Sequence, residues 1–193
     1  MKKLITIFAV VACLCLTGVA QAAPTVTVID FESFPGGNPT SYTVSGATFT
    51  GTGGGALWTG LGPNGTQGLL AGSGFFEELR ADIAGSVISV SVDIGDYDAD
   101  SDRLFLEIFD SGGTSLGYTD LVIAPEFIGM ETLSLSAPNI AYAIFGARDT
   151  GAGGGSSVYS DNFTYETIPA PGAILLGSIG VSLVGWLRRR KTL

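Results

Sequence analysis

The densest chemistry in the chain is the run Asp96-Tyr97-Asp98-Ala99-Asp100-Ser101-Asp102, with acids at alternate positions. Carboxylates spaced this way in a loop can turn toward one hard cation, and calcium takes oxygen ligands of this kind. A helix-associated calcium loop starting at Asp96 needs Gly at its sixth position and Glu at its twelfth. Ser101 stands at the sixth and Glu107 at the twelfth, and Leu104 to Phe109 reads as a strand, so the run does not fit that motif. Four acids this close repel one another, which a cation relieves. The plainer alternative is a solvated acidic turn between two strands. Glu77-Glu78 is a second acidic feature. Neighbouring residues of a strand point to opposite faces, so these two need not share a site. Glycoside hydrolysis requires two carboxylates flanking a sugar. Nothing in the sequence selects such a pair from the eighteen acids. Trp58 lies in the glycine-rich stretch 51–68. Exposed, its ring can stack on a sugar; buried, it packs a core. Tyr97 and Tyr118 also lie near turns.

What is missing narrows the chemistry further. There is no histidine, and both cysteines, Cys13 and Cys15, fall in the first 22 residues. The rest of the chain therefore lacks the commonest general base, the thiol nucleophile and any disulfide. A non-catalytic body is the expectation. Of nine Lys and Arg residues, Lys2 and Lys3 lie at the start and Arg188, Arg189, Arg190 and Lys191 at the end. Only Arg80, Arg103 and Arg148 remain between them, against eighteen acids from Asp30 to Glu166, a net charge of −15. Such a body has no basic patch to displace counterions from phosphates, which argues against nucleic acid. It suits cation binding, and equally simple solubility.

Short alternating segments must position these residues. Thr25 to Phe31, Val87 to Ile94, Leu104 to Phe109, Thr132 to Leu135, Ile140 to Phe145 and Val158 to Tyr165 are rich in β-branched and aromatic residues. Gly36-Gly37, Gly53-Gly54-Gly55, Gly112-Gly113 and Gly153-Gly154-Gly155 punctuate them. Helix-period patterns are scarce. The pattern predicts an all-β, antiparallel β-sandwich over residues 23–166.

The two ends read as targeting segments. Lys2 and Lys3, the apolar run Leu4 to Val19, and Ala20-Gln21-Ala22 have the order of a secretory signal peptide over residues 1–22, leaving Ala23 as the new N-terminus. Export through Sec-type machinery follows. Val10-Val11-Ala12-Cys13 gives a rival lipoprotein reading, and an uncleaved anchor is another. At the other end, Pro169-Ala170-Pro171 precedes an apolar run from Gly172 to Leu187 and then the basic tail 188–191. As a helix the run spans about 24 Å, somewhat under a ~30 Å hydrocarbon core. Snorkelling arginines make such a short span workable. The basic tail places the C-terminus in the cytoplasm and the body outside. The plain alternative is a simple membrane anchor.

A short proline motif, a glycine-rich apolar helix with Trp186, and a terminal arginine cluster resemble the PEP-CTERM sorting signal, over residues 168–193. The middle residue here is Ala170 where that motif has glutamate. The resemblance implies an exosortase, a membrane-embedded cysteine transpeptidase or protease, as partner. It also implies a cell-surface or extracellular destination, often in an exopolysaccharide and biofilm setting. Within the body, a first strand ending in Asp30-Phe31-Glu32 and a last strand reading Tyr159-Ser160-Asp161-Asn162-Phe163-Thr164-Tyr165 resemble jelly-roll modules of the carbohydrate-binding type. That likeness implies a structural calcium where the two strands meet, with Asp30, Glu32 and Asp161 as oxygen ligands, and an extracellular polysaccharide as partner. The leading expectation is thus an exported, sorted, glycan-binding protein. A secreted carboxylate-dependent glycan hydrolase and a purely structural matrix protein are the alternatives.

Overall fold

In a computed structural model of the chain, the described residues are 23–72, 77–96, 101–149 and 158–168. The segments expected to be a signal peptide and a sorting signal, with Pro169, Ala170, Pro171 and Arg188 to Arg190, fall outside them apart from Ile168, as do Ala20, Ala22, Asp98 and Asp100. The regular elements among the described residues are strands: β1 (Thr25–Ile29), β2 (Ser41–Val44), β3 (Ala47–Gly51), β4 (Leu57–Leu61), β5 (Gln67–Ala71), β6 (Leu79–Asp96), β7 (Asp102–Phe109), β8 (Ser115–Val122), β9 (Gly129–Asp149) and β10 (Tyr159–Thr167). All pair antiparallel. Together they form one compact unit, Pro24–Ile168, which holds all ten strands and the core.

Two long strands organise the unit. β6 has 18 residues and β9 has 21, and they pair with each other on both sides of a register shift between Asp82 and Val87. At that shift Gly85 takes φ 103° and, on the facing strand, Asn139 takes φ 63°. Gly85 permits that turn without a Cβ clash, and Pro138 supplies no ladder N–H. Each strand bends there and serves two layers, as corner strands of sandwiches do. The first layer runs β2-β3-β6-β9-β7-β8 through the first half of β6 and the second half of β9. In the second layer, the other halves of β9 and β6 continue to β10, which is flanked by β1 at one end and by β5 and then β4 at the other.

The layers share one core. Ala47, Phe49, Leu79, Ala81, Leu104, Leu106 and Phe145 point inward from the first, and Leu57, Leu69, Val90, Val92 and Phe163 from the second, all buried. Phe163 joins the two layers, with ring centroids 5.2 Å from Phe49 and 5.4 Å from Phe145. Each of the buried Val, Leu and Phe side chains contributes roughly 1.5–3 kcal/mol on burial. The sandwich matches the expectation, with three adjustments. The segments at 132–135 and 140–145 are one strand, because pairing with β6 resumes beyond the bend. β6 starts at Leu79, where Leu79-Arg80-Ala81-Asp82-Ile83 already alternates. β2 to β5 and β8 are strands that the alternation of longer apolar runs did not announce.

Candidate functional site

The outer face of the first layer carries cross-strand rows of polar and aromatic side chains. One row is Asp82, Tyr142, Phe109 and Ser115; the next is Arg80, Ile144, Glu107 and Tyr118. A third is Gly146, Phe105 and Asp120, and the fourth is Arg148, Arg103 and Val122. The three arginines of the body therefore all stand on this one face. Tyr142 stacks on Phe109 at 4.7 Å, and the guanidinium of Arg80 lies 3.7 Å from the Tyr142 ring centroid. Gly146, opposite Phe105, adds no side chain, and the guanidinium of Arg148 lies 4.0 Å from the Phe105 ring centroid. Tyr118 flanks the same ring at 6.2 Å. Phe105 is thus fully buried on a face that is otherwise open.

Each arginine is also tied to a carboxylate. Arg80 donates Nε and Nη2 to Asp82, at 2.6 Å for the shortest contact. Arg148 donates Nε to Glu78 at 3.0 Å, and Arg103 donates Nη1 to Asp120 at 3.0 Å. The Asp82 bond raises the pKa of Arg80 above its ordinary value. For Arg148, burial is the largest single effect and opposes the charge, but the hydrogen bond to Glu78 and the attraction of Glu78, Tyr118 and Glu107 together exceed it, and the pKa is raised. Half-exposed pairs of this kind add only about 0.2–1 kcal/mol each to stability. Their main consequence is positional: planar donors are held still at the surface. The terminal nitrogens of Arg148 make no hydrogen bond among the described residues, so donors remain for a ligand. With Asp82, Glu78, Glu107 and Asp120 beside three arginines, the face has no net positive charge. Fixed donors, carboxylate acceptors and ring edges on an open sheet suit a polyhydroxylated polymer.

The residues singled out in the sequence divide into groups. Glu32 and Asp161 converge on the turn between β4 and β5. Glu32 accepts from the Gln67 amide at 2.8 Å, and Asp161 accepts from Thr66 Oγ1 at 2.6 Å and Asn64 Nδ2 at 2.8 Å. The Asn162 amide also donates to Asp161, and Asn162, at φ 47°, forms the bulge that sets it there. Asp161 is buried, and none of the three ion pairs of the described residues involves it. Asp30 is exposed and receives the Glu32 amide at 3.3 Å. Among the described residues no three acids cluster to hold a metal ion. Asn64 and Thr66 are polar partners that the sequence did not reveal. In the acidic run, Asp96 ends β6 and Asp102, which is buried, begins β7. Trp58 is half-buried on the outer face of the second layer, opposite Leu70. Glu77 and Glu78 separate as expected: Glu78 holds Arg148, and Glu77 accepts from the Gly55 amide at 3.0 Å.

No protein-family model matches the sequence, and no curated protein matches it. Among solved structures, the chain is similar to a family 29 carbohydrate-binding module from Piromyces equi, at 9% identity and a TM-score of 0.44, covering 76% of this chain and 92% of the other. A second family 29 module matches at 16% identity and TM-score 0.38, covering 76% and 90%. An arabinose-bound α-L-arabinofuranosidase matches at 15% identity and TM-score 0.44, covering 77% of this chain but 27% of the enzyme.

Proposed function

We propose that this chain is an exported, non-catalytic surface or matrix protein whose body binds a neutral polysaccharide across the outer face of the first layer. The observation that supports this is the convergence of the body's three arginines on one face, two of them over aromatic rings, in a body that otherwise carries only acids. Held guanidinium and carboxylate groups offer paired hydrogen bonds to sugar hydroxyls. An anionic polymer would meet no net positive field there. Affinity electrophoresis against neutral and acidic polysaccharides tests this. Arg80→Ala combined with Arg148→Ala weakens retention by a neutral glycan at least tenfold, or about 1.4 kcal/mol. No retention by any polymer, or equal retention of parent and variant, overturns it.

The ends supply the setting. Residues 1–22 direct Sec-type export with cleavage before Ala23. The segment 168–193 delivers the chain to an exosortase-type enzyme, with Pro169-Ala170-Pro171 outside and Arg188-Arg189-Arg190 in the cytoplasm. The order of these segments supports an inner-membrane intermediate and a final place at the cell surface or beyond it, in an exopolysaccharide or biofilm matrix. Cell fractionation with mass measurement of the processed chain tests this; an unprocessed cytosolic chain counts against it.

Calcium is proposed as a structural partner at Asp161 and Glu32, with Asp30 beside them. The supporting point is a buried carboxylate with no Arg or Lys pair, a costly arrangement unless compensated. A ligand at a hundredfold excess over Kd adds about 2.7 kcal/mol to native-state stability. That raises the melting midpoint by roughly 5–10 °C. Equal melts with calcium and with chelator leave Thr66, Asn64 and the Asn162 amide as the whole compensation of Asp161.

A further inference from the structure

We propose that β1 is a self-association edge, through which two copies of this chain join β1 to β1, antiparallel about Thr27. β1 pairs with β10 along its whole length, from Thr25 opposite Thr167 to Ile29 opposite Phe163. Among the described residues no strand lies on its other side. The backbone groups pointing that way make no hydrogen bond among the described residues. Sheets usually blunt such edges with charge, proline or a bulge. β8, an edge of the first layer, carries Asp120, and the first half of β9, which pairs with β6 on one side only among the described residues, carries Glu131 and Pro138. β1 has none of these devices; the edge strands β2 and β4 lack them too, but only β1 is β-branched throughout. Thr25-Val26-Thr27-Val28-Ile29 is uncharged, β-branched throughout and regular. Val26 and Val28 are 60% and 59% exposed, side by side on the outer face.

The occupant follows from charge and register. Copies of a body with net charge −15 repel one another, so they approach most readily along an uncharged strand. Two acids border that face: Glu166 lies one strand in, opposite Val26, and the exposed Asp30 follows the end of the strand, two residues beyond Val28. A twofold axis at Thr27 sets Val26 of one copy against Val28 of the other, and Thr25 against Ile29. The strand is therefore complementary to itself, as a twofold interface requires. Four valines then form two cross-strand pairs on one face. Five residues a side make an interface well below the ~1,600 Å² of a standard complex, so association is weak, with Kd between about 10 μM and 1 mM.

Sedimentation of residues 24–168 over a concentration series up to ~1 mM tests the proposal. The parent shows a reversible monomer–dimer equilibrium. The double variant Val26→Lys, Val28→Lys weakens it at least tenfold while melting like the parent, since both side chains are exposed. A second measurement fixes the register. Residues 24–168 contain no cysteine. On mild oxidation, a mixture of Val26→Cys and Val28→Cys chains gives disulfide-linked dimers of unlike chains, and each variant alone gives few. A monomer at every concentration overturns the proposal. So does a dimer that the lysine pair leaves unchanged, or cross-linking that is equal in the single-variant samples.

Discussion

The Asp110 carboxylate accepts hydrogen bonds from the amides of Thr114 at 2.8 Å and Gly112 at 2.9 Å, closing the turn between β7 and β8. These bonds, that from Thr114 foremost, favour the charged form and hold its pKa below the ordinary carboxylate value. A carboxyl with a depressed folded pKa contributes stability above its unfolded pKa, and the contribution is lost as pH falls through the folded value. Asp110→Ala therefore lowers the melting temperature at pH 7. The gap to the parent narrows below about pH 3.9 and closes past the depressed folded value. Melts at a series of pH values check this; a gap independent of pH would mean that the turn depends on shape rather than charge. At this scale the sequence was informative about types and silent about partners. Arg80, Arg103 and Arg148 were visible as the body's only cations. Their partners Asp82, Asp120 and Glu78 could not be read as a set, because Arg103–Asp120 depends on the register of the β7–β8 hairpin and Arg148–Glu78 joins residues 70 apart in sequence. Asp161 was read as a candidate ligand, while nothing in the sequence tied Asn64 and Thr66, almost a hundred residues away, to it.

At the scale of elements, glycine separates close approach from simple turning. A Cβ on Gly95 would lie 1.8 Å from the carbonyl oxygen of Gly129 on the facing strand β9, where only backbone is available to move. Gly95→Ala is expected to cost about 3 kcal/mol, the upper end of overpacking penalties, and to loosen the β6–β9 pairing near its open end. Gly36, at φ 69° with nothing within 4 Å of a Cβ, has only a conformational cost. Gly36→Ala there costs about 1 kcal/mol. Denaturant melts of the two variants check the contrast, and equal losses would mean that crowding at Gly95 is relieved by strand movement. Alternation in the sequence found the strands that bury one face: Val87 to Ile94, Leu104 to Phe109 and the last strand. It missed β5, whose residues 68–71 are all buried, so that polar residues no longer alternate with apolar ones. It also divided β9 at Ala137-Pro138-Asn139, since a corner where a strand changes layers has the same residue types as a loop.

At the scale of the whole molecule, the excess of acids sets two opposite expectations for salt. Raising the ionic strength from 0.01 M to 0.15 M shortens the Debye length from about 30 Å to about 8 Å. Self-repulsion in a body of net charge −15 then weakens, while the three half-exposed ion pairs lose only tenths of a kcal/mol each. The melting temperature of residues 24–168 therefore rises with salt. Binding to a neutral polysaccharide behaves differently. Its hydrogen bonds and ring contacts displace few counterions, so affinity changes little over the same range. A cationic polymer attracted to the acidic surface would instead bind steeply less well as salt increases. Titrations at the two salt concentrations distinguish these cases. If stability rises and glycan affinity stays flat, the acids act at long range on folding and solubility, and recognition belongs to the arginine-bearing face. If affinity falls along with screening, recognition belongs to the acidic surface, and Arg80→Ala with Arg148→Ala then leaves it unchanged.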